Sequence, residues 1–134
     1  MKVVRLLVMG LLLSVSGFAQ NLPDPVLRGA QLPMYPPLAE LARVSGDVKA
    51  SFVIDETGAV TSVNVNSAND LLSKATQENI HTWKFILPKD VHRTEWRFET
   101  TFHYRLTGII IGRGPTGKLT VTLDSFRDVE VVAE

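Results

Sequence analysis

The chain has 134 residues, its 14 Lys and Arg balance 14 Asp and Glu, and it has no cysteine. That length fits one domain. Balanced charge excludes a general attraction to nucleic acid or an anionic membrane, and the missing cysteines exclude disulfide staples and a lipid-anchored N-terminal Cys.

Residues 1–19 begin with Lys2 and Arg5, and Leu6 to Ala19 is apolar apart from small residues. Gly17-Phe18-Ala19 supplies small residues at the −3 and −1 positions of a cleavage site. This is the pattern of a secretory signal peptide cut after Ala19. A spanning helix needs about 20 apolar residues; here Ser14, Ser16 and Gly17 break the run. Cleavage takes the 14 basic residues to 12 against 14 acidic, a net charge of −2. At about 115 residues the remainder can bury somewhat over 60% of its unfolded surface, enough to fold without staples.

Residues 20–34 form an extended arm, because Pro23, Pro25 and Pro33 fix φ and push their predecessors into extended conformations. Pro36 and Pro37 then open a short helix over Leu38 to Arg43, with Leu38, Leu41 and Ala42 on one face and Gly46 as its left-handed cap. Gly46 to Ser67 reads as a β-hairpin. Val48, Ala50, Phe52 and Ile54 alternate with Lys49, Ser51 and Asp55, and Gly58 supplies positive φ at the turn. Val60, Val63 and Val65 return. Two strands alone cannot bury an apolar face, so the flanking segments must cover it.

Asn69 or Asp70 caps a second helix, running from Leu71 to about Trp83. Leu72, Ala75 or Thr76, Asn79 or Ile80, and Trp83 recur at helical spacing, and Lys74, Gln77, Glu78 and His81 lie opposite. Trp83 and Phe85 are core anchors. Glu95 to Thr107 is the most regular strand: Trp96, Phe98, Phe102, Tyr104 and Leu106 face the core, while Glu95, Arg97, Glu99, His103 and Arg105 face water. An apolar run, Ile109 to Ile111, and a Gly-rich loop, Gly112 to Gly117, follow it. Leu119 to Leu123 and Val129 to Val132 are further strands of a C-terminal extension.

Chemistry-bearing constellations are weak. Gly112 to Lys118 matches G-x-x-x-x-G-K, but Leu119 stands where the magnesium-binding hydroxyl belongs, and Pro115 removes an N–H from the cradle. His81, His92 and His103 lack short ligand spacing, so they read as unrelated surface residues and no metal is expected. No Ser-His-Asp set or nucleophile elbow is present, and the chain does not read as an enzyme. No cofactor or small-molecule substrate is expected.

Taken in order, Tyr35-Pro36, Gly46-Asp47-Val48-Lys49, Phe52-Val53-Ile54-Asp55, Gly58, Val60-Thr61-Ser62-Val63, Trp83-Lys84-Phe85, Pro88 and Thr101 to Gly108 form a specific set. Over residues 35–108 this set resembles the C-terminal domain of TonB, the periplasmic energy transducer. The resemblance implies an α+β fold: an antiparallel sheet of three strands with two helices packed on one side. One or two strands from residues 109–134 would extend it. It also implies a periplasmic binding module that captures extended segments, such as the TonB boxes of outer-membrane transporters, by adding them to the last sheet strand.

Carried to this sequence, the partner-binding positions are Gln31, Pro33, Tyr35 and Pro36 on the arm and Arg97, Glu99, Thr101, His103 and Arg105 on the strand. Gly46, Gly58, Trp83 and Phe85 are structural. Asn79 departs from the pattern, standing where a small apolar residue belongs. A cleaved leader leaves no membrane anchor, and residues 21–37 reach only a few tens of ångströms. An alternative role is therefore an envelope assembly domain that forms a homodimer or docks onto a larger complex. An exposed last strand is also a liability. Residues 118–123 or 129–132 are expected to pair with it in cis, since Asp128 to Glu134 has the acidic, valine-rich character of a TonB box.

Overall fold

The computed structural model describes residues 23–107 and 119–133. The expectations for the leader, for the start of the arm, for Ile109 to Ile111 and for the Gly112 to Lys118 loop lie outside the described residues. Among the described residues nine elements follow in order: β1 (Val26–Gly29), α1 (Pro37–Leu41), β2 (Gly46–Asp55), β3 (Val60–Asn66), α2 (Asp70–His81), β4 (Lys84–Ile86), β5 (Glu95–Leu106), β6 (Leu119–Ser125) and β7 (Asp128–Ala133). The described residues form an α+β fold with a five-stranded sheet of order β3-β2-β5-β7-β6 and a small sheet of β1 and β4.

The hairpin β2–β3 forms as its alternation dictates. Val48, Ala50, Phe52 and Ile54 are all buried. At the turn, one Asp55 carboxylate oxygen accepts from the Thr57 N–H at 2.8 Å, the Thr57 hydroxyl at 2.6 Å and the Ala59 N–H at 3.1 Å. Those bonds hold the Asp55 carboxyl below its ordinary range, the Thr57 hydroxyl contributing most. Gly58 has φ +84°, and a Cβ there would lie 2.1 Å from the Phe85 carbonyl oxygen. The turn therefore lies directly against β4, and the Phe85 N–H donates to the Gly58 carbonyl at 2.9 Å.

Helix α2 starts where Asn69 accepts from the N–H groups of Leu71 and Leu72, at 3.0 and 3.1 Å. Its buried face is Leu72, Thr76, Asn79 and Ile80. Trp83 lies two residues beyond its end and is 1% exposed. Its ring packs on Phe52 and Phe102 at centroid distances of 5.5 and 5.9 Å. Phe126, from the β6–β7 turn, closes the same aromatic cluster against Phe85 and Phe98 at 5.3 and 5.2 Å.

Two expectations for α1 are corrected. In α1, Leu38 and Leu41 are 64% and 59% exposed and Ala42 is exposed, whereas Ala39 and Glu40 are buried. A five-residue helix has too few turns for spacing alone to name the packed face. The left-handed residue after it is Arg43, φ 56°, not Gly46, which opens β2. Within the arm, β1 pairs antiparallel with β4. The expected three-stranded antiparallel sheet is β3-β2-β5, and the C-terminal strands extend it: β6 takes the outer edge, the chain turns at Phe126-Arg127, and β7 enters beside β5 in parallel.

Asn79 occupies its apolar surroundings because both polar atoms of its amide are paired. Its Oδ1 accepts from the Trp83 indole N–H at 3.0 Å, and its Nδ2 donates to the Gln31 carbonyl at 2.8 Å. The Gln31 N–H donates in turn to the Thr82 hydroxyl at 3.1 Å. One side chain thus fixes the core tryptophan and ties the arm to the end of α2. Asn79→Leu leaves a buried indole N–H unpaired, a loss of roughly 1–3 kcal/mol. Denaturant unfolding should show that loss as a lower midpoint with an unchanged slope; an unchanged midpoint would contradict it.

Candidate functional site

The expected partner-binding residues fall on two sides of the sheet. Arg97, Glu99, Thr101, His103 and Arg105 are the odd positions of β5, opposite in phase to the buried Trp96, Thr100, Phe102 and Tyr104. They therefore lie on the outward face. Gln31, Pro33, Tyr35 and Pro36 lie with the core-side elements: Pro33 and Tyr35 are buried, Pro36 is half-buried, and Gln31 is exposed. Tyr35 donates to the Val44 carbonyl and sets its ring edge-on to Tyr104 at 5.5 Å. Burial raises the pKa of Tyr35, and it pushes Tyr104 to about 12. The Tyr104 hydroxyl shares a hydrogen bond of 2.9 Å with Thr76.

The edge of β5 opposite β2 is taken over residues 101–106. β7 pairs with it from Thr101↔Asp128 to Leu106↔Ala133. The ladder continues at both ends, with the Thr101 N–H donating to the Arg127 carbonyl at 3.0 Å and the Thr107 N–H to the Ala133 carbonyl at 2.9 Å. β5 is therefore interior to the sheet over residues 101–106. The tail pairing expected in cis is observed, and β7 rather than β6 makes it.

β7 fills the slot with both faces engaged. Val129, Val131 and Ala133 are buried on the core side. Val129 borders a groove of 260 Å³ shared with Leu27, Gln31, Pro33, Asn79 and Trp83. On the outward side His103 bridges three strands. Its Nδ1 lies 2.8 Å from Asp47 Oδ1 on β2, and its Nε2 lies 2.6 Å from Asp128 Oδ1 on β7. Arg105 adds an ion pair to Asp47 at 3.0 Å. His103 is therefore not an isolated surface residue, as its spacing suggested. Its partners are 56 and 25 residues away, beyond the reach of any local motif.

At the open end of the slot Glu95 and Arg97 form an exposed pair at 3.6 Å. Glu99 is exposed as well. The Arg127 guanidinium stands 5.3 Å from the Phe98 ring centre and 5.1 Å from that of Phe126, and bonds Asp24 at 2.7 Å. Nothing in this arrangement forms a nucleophile, base and orienting group. Its chemistry is that of strand pairing.

The bridge gives the edge a pH dependence. The hydrogen bond to Asp47, with a further one to Asp128, raises the pKa of His103 above its ordinary 6.5. The bond to His103, reinforced by Arg105, lowers that of Asp47 below 3.8. A raised histidine pKa contributes stability that is complete below 6.5 and fades as pH rises through the folded value. A lowered Asp pKa contributes stability that is complete above 3.8 and fades as pH falls through the folded value. The window of full bridging lies between those limits. Lys49, Arg105 and Glu130 share this sheet face and set the background charge. Half-exposed pairs contribute roughly 0.2–1 kcal/mol each, so His103→Ala should cost up to about 2 kcal/mol near pH 5.5 and far less at pH 8.5. Thermal melts at both pH values measure this, and an equal loss at both would refute the bridge.

The comparisons with known proteins agree with this geometry. The family described as Gram-negative bacterial TonB protein C-terminal matches residues 31–106, more than half of the chain. No curated protein matches the chain. The match runs from the arm at Gln31 to the end of β5, and β6 and β7 lie beyond it. Domains of this family are periplasmic, non-enzymatic parts of TonB-dependent energy transduction that interact with outer-membrane transporters. The chain belongs to the TonB C-terminal domain family.

Proposed function

We propose that this domain docks onto outer-membrane transporters by accepting an extended transporter segment into its sheet, with β5 as the receiving strand. The observation that carries the reading is the β5 edge itself. Over Thr101 to Leu106 it sustains a full ladder with a strand running parallel to it. Main-chain bonds of that kind give affinity to strand addition, and alternate side-chain sites give it selectivity.

Gln31, Pro33, Tyr35 and Pro36 contribute the core-side wall of the slot. Pro33 and Gln31 border the groove beside Val129, and Tyr35 buttresses Tyr104, the register partner of Val131. On the outward side Thr101, His103 and Arg105 select among partner side chains, while Arg97 and Glu99 extend the contact past the point where β7 begins. Gly46, Gly58, Trp83 and Phe85 keep β5 and its neighbours in place. The leader read at residues 1–19 delivers the chain to the periplasm and is removed there.

Titrating synthetic extended segments of outer-membrane transporters against the exported protein tests this reading. Tryptophan fluorescence is a direct reporter, because Trp83 borders the groove. Saturable binding below about 1 mM, near −4 kcal/mol, is the expected outcome, weakened by His103→Ala. Absence of binding at millimolar peptide with the fold intact would overturn it.

A further inference from the structure

The matched family module ends at residue 106, at the last residue of β5. Everything seated on the outer edge of β5 comes from beyond the match. In the sheet β6 pairs with β7 and not with β5, so the two strands form a hairpin joined to the module by the β5–β7 ladder and by Phe126 and Arg127 of its turn, which pack on Phe85 and Phe98. The rest of the sheet, β3-β2-β5, is continuous without them. The hairpin is thus an addition laid over the edge that the docking reading needs open.

Its fit is that of an occupant. Residues 128–133 read Asp-Val-Glu-Val-Val-Ala, two acidic residues among small apolar ones. Asp128 meets His103, a residue of the module, and Val129 meets the groove formed by the arm and Trp83. Val131 and Ala133 are buried beside Tyr104 and Leu106, their register partners. Any segment with the same order of side chains would make the same backbone ladder and bury the same groups.

We propose that β7 is an exchangeable resident of the transporter-docking site, a built-in strand that keeps the β5 edge closed until a transporter segment replaces it. The inference rests on the docking reading. Its physical basis is mass action within one chain. A tethered strand competes at an effective concentration in the millimolar range, and the affinity seen by an incoming segment falls by the fraction of molecules with the slot open. His103 sets that fraction from the module side and Asp128 from the strand side. The other charged groups on this face are Asp47 and Lys49 of β2, Arg105 of β5 and Glu130 of β7. An edge that is closed at rest also avoids pairing with other chains.

The test locks β7 in place reversibly. Arg105 and Val132 are register partners on the outward face, at a spacing a disulfide can span. The chain has no native cysteine to compete. The full-length double variant Arg105→Cys/Val132→Cys is compared with itself, oxidised and reduced. One probe is a synthetic peptide of this chain's own residues 127–134, and the other is a transporter segment. Both should bind the reduced protein, and binding should weaken about tenfold or more on oxidation. Asp128→Asn, which leaves β5 and the arm untouched, should tighten binding roughly two- to fivefold near pH 6.

Equal affinity of the own-strand peptide for oxidised and reduced protein overturns the proposal, as does its failure to bind either the reduced form or Asp128→Asn. A transporter segment that binds both forms equally also overturns it and leaves docking intact at another edge. Exchange of the own-strand peptide in the reduced form alone, with no transporter segment bound, upholds strand exchange and removes the docking reading instead.

Discussion

Strand β5 has one apolar face and two edges, and the fold is the covering of all three. Twelve residues of strict alternation leave Trp96, Phe102 and Tyr104 on one side, too much apolar surface for a lone hairpin to hide. β2 takes one edge over ten residue pairs, and β7 takes the other over six. Helix α2, the arm and Trp83 take the face. Loss of any cover leaves either unpaired backbone or wet aromatic surface, and both are costly.

Two polar nodes hold these covers in register, one on each side of the sheet. On the core side Asn79 joins the arm to Trp83, where an apolar residue would leave an indole N–H without a partner. On the outward side His103 joins β2, β5 and β7 through Asp47 and Asp128. The nodes differ in kind. The first is neutral and largely buried, so it fixes geometry at every pH. The second is charged and half-exposed, so it is weaker and titrates. A strand held by the second kind of node is easier to move than an arm held by the first.

Much of this was legible in the sequence. Period-two alternation located β2, β3 and β5, and Asn69 with the spacing of Leu72, Thr76 and Ile80 located α2, because those signals are local. The TonB-like motif order then supplied the sheet and its helices. Other features were out of reach for physical reasons. β1 and β4 have four and three residues, too few for a period to emerge. The direction of β7 was not legible, since alternation reads the same in a parallel or an antiparallel strand. The partners of His103, and the Gln31 partner of Asn79, are set by tertiary contact across 25 to 56 residues. Of the candidate site, the sequence offered residues 118–123 or 129–132 as the strand beside β5 but could not choose between them, because both segments alternate.

The most direct test is nuclear magnetic resonance of the isotopically labelled protein with and without a bound transporter segment. Without it, cross-strand contacts should link residues 101–106 to residues 128–133. With it bound, those contacts should vanish and be replaced by contacts from β5 to the segment, while the contacts between β2 and β5 persist. A saturated complex in which β7 keeps every contact with β5 would contradict the account.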